Sequence, residues 1–260
     1  MNIVVCVKQV PDTTVVKIDP VKNTLIREGV PSIMNPDDKG GLELALQLKE
    51  KCGANVTVIT MGPPQADLVL REAFAMGADR AILLTSRAFA GADTLATSNA
   101  LAGAMRAIPY DLIITGRQAI DGDTAQVGPE MAEHLHLPQV SYVVDCEYKG
   151  DNNYRVKKET EDGYEILEVE GPAVFTVLAS GYKARYMNVR GIVEAFEREV
   201  EIWTEQNIDV DASKLGLKGS PTKVKQAFPK QTKAAGQVYE LEPEQAVDVI
   251  ITRMKEKFLI

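Results

Sequence analysis

Through its first 140 residues the chain repeats one unit: a short, wholly apolar run, then a segment whose apolar residues recur at helical spacing. "NIVVCVKQV", "ANVTVITMG", "RAILLTS" and "YDLIITG" are the apolar runs. A run apolar at successive positions is buried on both faces, as the strands of a parallel sheet are. "NPDDKGGLELALQLKEKCG" reads as a helix capped by Asp37 or Asp38, with Leu42, Ala45 and Leu46 on one face and Gly53 at its end. "PPQADLVLREAFAMG" closes at Gly77, and "GADTLATSNALAGAMRAI" has Asp93 to cap it. Strand then helix, repeated, implies right-handed crossovers and a doubly wound, mostly parallel α/β sheet covered on both faces.

After Pro138 the pattern changes. "SYVVDCEY", "NYRVKKE" and "YEILEVEG" are separated by "KGDN" and "TEDG", turn chemistry that predicts an antiparallel hairpin insertion. "PAVFTVL" is again fully apolar and is expected to rejoin the main sheet. "GIVEAFEREVEIWT" carries both helix and strand cues, which the sequence leaves open.

From Ala212 to Tyr239 there is no Asp or Glu and there are six lysines. The bland reading is a disordered tail. Beyond it Val247, Ile250, Ile251 and Met254 fall at i, i+3, i+4 and i+7, an apolar stripe that needs a surface. The reading adopted is an α/β domain over residues 1–204, then an extended arm and helix over 205–260 that reach a partner.

A net charge of −8 argues against nonspecific nucleic-acid binding, and no apolar run approaches the roughly 20 residues of a membrane-inserted helix. The first apolar run is too short for a signal peptide. Cys6, Cys52 and Cys146 are odd in number and far apart, as in reduced thiols of a cytoplasmic protein without a zinc site. His134 and His136, the only histidines, lie two apart on an expected helix and so on different faces, which disfavours a metal pair.

"GRQAIDGDTAQVGPEMAEHL", residues 116–135, follows the fourth apolar run. In an open parallel sheet, ligands bind at the carboxyl ends of the strands where the strand order reverses. Gly116 and Gly122 are expected to allow close backbone approach, and the helix beginning near Asp123 or at Gly128 to offer free N–H groups to an anion. Asp121 and Asp123 fit turn-forming, capping or ribose-binding roles. Asn35 either reads an adenine edge or braces the turn, and Met61 either packs on a purine or belongs to the core. Cys6 is expected to be a wall. There is neither a Gly-x-Gly-x-x-Gly after the first strand nor a Gly-Lys-Ser/Thr loop. Without a Ser-His-Asp set or paired carboxylates, no catalytic residue is assigned, and the reading is of a protein that holds a cofactor.

Taken in order, "VVCVKQVPDT", "MNPDDKGGLELALQLKE", "AMGADRAILL", "GRQAIDGDTAQVGPEMAEHL" and "SGYKARYMNVRGI" resemble the β subunit of an electron transfer flavoprotein. The resemblance spans the N-terminus to about residue 200. It implies a Rossmann-like, adenine-nucleotide-hydrolase-like fold and a C-terminal arm embracing an α subunit. It implies nucleotide contacts at Cys6, Asn35, Pro36, Asp37, Asp38 and Met61. The same contacts continue through Gly116, Arg117, Gln118, Ala119, Ile120, Asp121, Gly122, Asp123, Thr124, Ala125, Gln126 and Val127. It further implies a loop for docking acyl-CoA dehydrogenases: Ala184, Arg185, Tyr186, Met187, Asn188, Val189, Arg190, Gly191 and Ile192, with Val189 as apolar anchor.

The family's β subunits hold either AMP or, in electron-bifurcating members, a second FAD. "DGDTAQVGP" resembles the bifurcating version, with small Gly122, Thr124 and Ala125. The resemblance therefore implies FAD, NADH as donor, ferredoxin or flavodoxin as low-potential acceptor, and Arg117 near the flavin as a stabiliser of its anionic forms. A single-flavin carrier with AMP is the alternative. A free-standing adenine-nucleotide sensor similar to universal stress proteins is a further one.

Overall fold

The computed structural model describes residues 1–12, 31–225 and 236–260. They fall into two units, Met1–Gln226 and Ala227–Ile260. The first unit opens with β1 (Asn2–Cys6), β2 (Gln9–Pro11), β3 (Ser32–Met34) and α1 (Pro36–Cys52). β4 (Asn55–Met61), α2 (Asp67–Met76), β5 (Arg80–Leu84), α3 (Thr94–Met105), β6 (Leu112–Gly116) and α4 (Val127–Leu135) follow. Then come β7 (Gln139–Gly150), β8 (Asn153–Thr160), β9 (Gly163–Glu170), β10 (Ala173–Val177), α5 (Val189–Glu197), β11 (Glu201–Trp203) and the short α6 (Gly216–Gly219). The second unit contains α7 (Pro243–Glu256).

One nine-stranded sheet runs β11-β5-β4-β1-β6-β10-β7-β8-β9. It is parallel from β11 to β7 and antiparallel at β7–β8–β9. The chain steps outward from β1 through β4 to β5, then returns to the other side of β1 with β6. The strand order therefore reverses between β1 and β6, where a crevice opens at the carboxyl ends.

Alternation along β1 divides the core. Ile3 and Val5 face α1 and α2, with Leu42, Leu46, Val69 and Leu70, whereas Val4 and Cys6 face α3 and α4, with Ala100, Met105, Met131 and Ala132. Ile113 and Ile114 of β6 divide in the same way. Tyr154 of β8 meets Phe175 of β10 edge to face at 5.6 Å, tying the antiparallel extension to the parallel core.

Several expectations are met for the stated physical reasons. Gly53 ends α1 at φ 69°, and the Asp93 carboxylate accepts from the Ala96 N–H at the start of α3. β10 rejoins the sheet between β6 and β7. Four points differ. Asn35, not Asp37 or Asp38, is the cap position of α1, because Pro36 sits at the first helical residue and puts both aspartates in the first turn. The stretch left open, residues 191–204, is most of α5 followed by an edge strand, β11, paired with β5. Its helix cue comes from residues 191–197 and its strand cue from Glu201–Trp203. His136 is not helical: it stands at φ 54° past the end of α4, while His134 Nε2 lies 3.2 Å from Ser98 Oγ.

The fourth difference is the domain boundary. The first unit runs on to Gln226, beyond residue 204. Gly103 lets the Asp209 carbonyl lie 3.0 Å from where a Cβ would be, and Asp209 N–H bonds the Gly103 carbonyl at 3.2 Å. Farther on, Ser220 Oγ accepts from Asp93 N–H at 2.8 Å, and the Asp93 carboxylate accepts from Thr222 N–H and Oγ1 at 3.0 and 2.7 Å. Residues 205–222 are thus bound down by the start and the last turn of α3. In the second unit the apolar stripe of α7, Val247, Ile250 and Ile251, is exposed. Residues 226–235 of the lysine-rich stretch lie outside the described residues, as do 13–30. Among the described residues no helix is long and apolar enough to cross a membrane.

Burial raises the Asp93 carboxyl's affinity for a proton, but the bonds from Ala96, Thr222 and Ser220 outweigh it and hold the value below normal. Asp93→Ala is expected to cost about 1 kcal/mol, which for a chain of this size lowers Tm by roughly 2–4 °C. Because the folded value is depressed, calorimetry should show the full cost above the ordinary carboxyl value of 3.8 and a shrinking cost as pH falls through the folded value.

Candidate functional site

The crevice is assembled by two buried side chains at the start of α1. Asn35 is completely buried, and its own N–H bonds the Lys8 carbonyl at 2.9 Å. Its side-chain amide donates to the Gln118 carbonyl at 2.8 Å and accepts from the Ile120 N–H at 3.0 Å. One residue thus clamps both sides of the turn after β6. Through these two bonds Asn35 braces the loop.

Asp38 makes the second link. Its Oδ2 accepts from the Lys8 N–H at 2.8 Å and its Oδ1 from the Gly116 N–H at 3.0 Å, so one carboxyl spans the ends of β1 and β6. Gly116 is required here: a Cβ would fall 2.2 Å from Asp38 Oδ1 and 2.6 Å from Asp38 N. The same argument fails for Gly122, which has an ordinary φ and open space around a notional Cβ. Asp123 and Ala125 take the left-handed conformation instead, at φ 50° and 53°. Asp tolerates that region, and the turn is paid for by bonds from Gly122 and Asp123 N–H to the Ala119 carbonyl and from Gln118 Nε2 to Asp123 Oδ1.

Burial drives the Asp38 carboxyl up to about 7, against the pull of the Asn35 side chain and of the Lys8 and Gly116 N–H groups. Burial, with Asp38 nearby, also pushes the Cys6 thiol far up, so Cys6 is an inert wall at the end of β1. Met61, the last residue of β4, is half-buried against the α3 side of the core.

The charges around the crevice pair with one another. Lys8 Nζ meets Asp121 Oδ1 at 2.6 Å, and Arg117 Nε lies 3.4 Å from Asp37 Oδ2. Asp37 Oδ1 also accepts from Ala179 N–H at 2.9 Å. Arg117 lies beside Asp37 without a hydrogen bond, and its buried Nε has no partner among the described residues.

What remains open is main chain. Among the described residues, Thr124, Ala125 and Gln126 give no N–H to any other group, and they lead directly into the first turn of α4. α4 begins at Val127, between the two expected starts, and Pro129 fits its first turn without a kink. Successive free N–H groups at a helix start attract an anion.

Two site residues, Lys8 and Thr94, escaped the sequence reading. Lys8 lies just past β1 and had no local signal. Thr94 Oγ1 lies 3.1 Å from Gln126 Oε1 and 3.2 Å from Glu130 Oε1, which brings the start of α3 beside the start of α4. A polar residue following the cap Asp93 was the available hint.

Residues 184–192 lie elsewhere, along the middle of α1 and beside α2. They are not wholly a loop: Asn188 caps α5 by accepting from Gly191 N–H at 2.7 Å, and Val189–Ile192 form its first turn. Tyr186 is 93% and Val189 80% exposed, while Arg185 is held by Glu43 and Glu50. Arg190 pairs with Glu194 one turn on.

A family model described as the electron transfer flavoprotein domain matches residues 22–207. The chain is 57% identical to the electron transfer flavoprotein subunit beta of Clostridium acetobutylicum, over the whole of both chains. It is 47% identical to the caffeyl-CoA reductase-Etf complex subunit CarD of Acetobacterium woodii, again over the whole of both. It is 40% identical to the acryloyl-CoA reductase electron transfer subunit gamma of Anaerotignum propionicum over the same extent.

Two measurements check the crevice. Gly116→Ala forces Asp38 away and is expected to cost about 1–3 kcal/mol, read as a lower urea midpoint. The Asp38 carboxyl has a folded value raised above 3.8, so the stability it contributes is complete below 3.8 and is lost as pH rises through about 7. Unfolding midpoints of wild type relative to Asp38→Asn should therefore fall across that window and level off above it.

Proposed function

Since the chain belongs to the electron transfer flavoprotein family, as a β subunit, we propose that it pairs with an α subunit and holds FAD in the crevice between β1 and β6. In this reading the complex takes electrons from NADH. It divides them between ferredoxin or flavodoxin and, through the α-subunit FAD, an acyl-CoA dehydrogenase that docks on residues 184–192. The free cysteines suit a cytoplasmic complex.

The observation that carries the reading is the run of open N–H groups at Thr124, Ala125 and Gln126 entering α4, in a crevice where Lys8 is already paired with Asp121. Those N–H groups would hold the diphosphate. Gly116 and Asp38 bring the strand ends together beneath it, and Asn35 keeps the turn in shape. Gly122, with no atom near it, and small Ala125 leave volume at the mouth, which favours FAD over AMP. Bound FAD would supply exchange of electrons in ones and twos, and the chain would orient it and exclude water. No side chain of the crevice is needed as an acid or base. The reductase complexes named among the relatives favour an acyl-CoA-type partner. Family membership leaves the free-standing sensor without an observation in its favour.

The test is the nucleotide content of the purified heterodimer. Denaturing release followed by chromatography should give about two FAD per heterodimer. One FAD with one AMP would replace this reading by the single-flavin carrier.

A further inference from the structure

We propose that Glu43, on the middle of α1, is the positioning residue that holds residues 184–197 in the shape a partner recognises. The inference rests on the docking role proposed above for that segment.

Glu43 is almost completely buried, and both carboxylate oxygens are turned to Arg185. Oε2 accepts from Arg185 Nε at 2.9 Å and from its backbone N–H at 3.1 Å, and Oε1 accepts from the guanidinium at 3.0 Å. Glu50, two turns farther along α1, takes another guanidinium N–H. These bonds fix the backbone and the side-chain fork of Arg185 together. A bidentate guanidinium–carboxylate pair is both stronger and more directional than a point-charge pair. Burial alone would raise the Glu43 carboxyl, and the hydrogen bonds from Arg185 bring it below the ordinary range. Arg185, although within the docking segment, is therefore occupied inside the chain and is not a contact for a partner.

The far end of the segment is held as well. Arg71 of α2 donates to the carbonyls of Ala195 and Arg198, and Arg198 donates back to the carbonyl of Ala78, just past α2. Between the two clamps Tyr186, Val189, Val193 and Phe196 stand exposed. Apolar side chains on a stretch already ordered at both ends bind without the cost of ordering it. The glutamate also sits on the helix whose first turn builds the nucleotide crevice. At about 1.5 Å per residue, the two features lie on the order of 10 Å apart on one rigid rod.

The experiment uses the α/β heterodimer, an acyl-CoA dehydrogenase from the same source, and a small dye that accepts electrons without docking. Glu43→Gln is expected to raise the KM for the dehydrogenase about tenfold. Dye reduction and nucleotide content should be unchanged, and amide exchange over residues 184–192 about tenfold faster. Arg185→Lys, which keeps the charge but loses the fork, should do the same. If Glu43→Gln fails to assemble, Glu43→Asp should show a smaller rise in both readouts. Exchange and KM within twofold of wild type for these variants, while Val189→Asp raises KM, would refute the role of Glu43 and leave the docking surface standing. A Val189→Asp variant with unchanged KM would remove the docking surface and this inference with it.

Discussion

The structure turns on one carboxyl group. Asp38 receives the N–H of Lys8 at the end of β1 and the N–H of Gly116 at the end of β6, the two strands between which the order of the sheet reverses. The strands stay paired to their ends, Cys6 beside Thr115, but the helices that follow them, α1 and α4, cover opposite faces, which leaves a gap beyond the carboxyl ends. Here the first turn of α1 is drawn across the gap, close enough that only glycine fits at position 116. The expense is a buried acid whose ionisation is disfavoured. What it secures is a rigid floor on which the turn after β6 can be shaped by Asn35.

The walls follow a consistent electrostatic plan. Lys8 answers Asp121, Asp37 answers Arg117, and Gln118 answers Asp123. The atoms left over are backbone N–H groups at the entrance to α4. What distinguishes this end of the sheet is main-chain geometry, with Asp123 and Ala125 at φ 50° and 53°, more than any single side chain.

That distinction explains what the sequence made legible. The repeated apolar runs predict the parallel strands because a strand buried on both faces has no polar alternative. Gly53 and Asp93 predict helix ends because their roles depend on neighbours within a few residues. That the stretch after the fourth run follows a strand at the reversal of the sheet order agrees with the repeated strand-and-helix pattern. The internal wiring was not legible. Lys8 finds Asp121 across 113 residues, and Glu43 finds Arg185 across 142, separations at which no local pattern operates. Gly122 misled because glycine permits a left-handed turn without requiring one, and the chain placed that geometry at Asp123 and Ala125. The boundary at residue 204 differs because the residues after it are tied down by a backbone contact at Gly103 and by the side chains of Asp93 and Ser220, links that span more than 100 residues.

The internal pairing of the crevice's charges has a consequence for how tightly anything is kept there. Loose lysines would make a phosphate's residence depend on dissolved ions, since exposed charges more than about 8 Å apart are largely screened at physiological ionic strength. Oriented peptide dipoles act at touching distance, inside that screening length. Under the function proposed, a nucleotide seated on these N–H groups would be kept by fit and short-range dipoles more than by long-range attraction, the part that dissolved salt weakens.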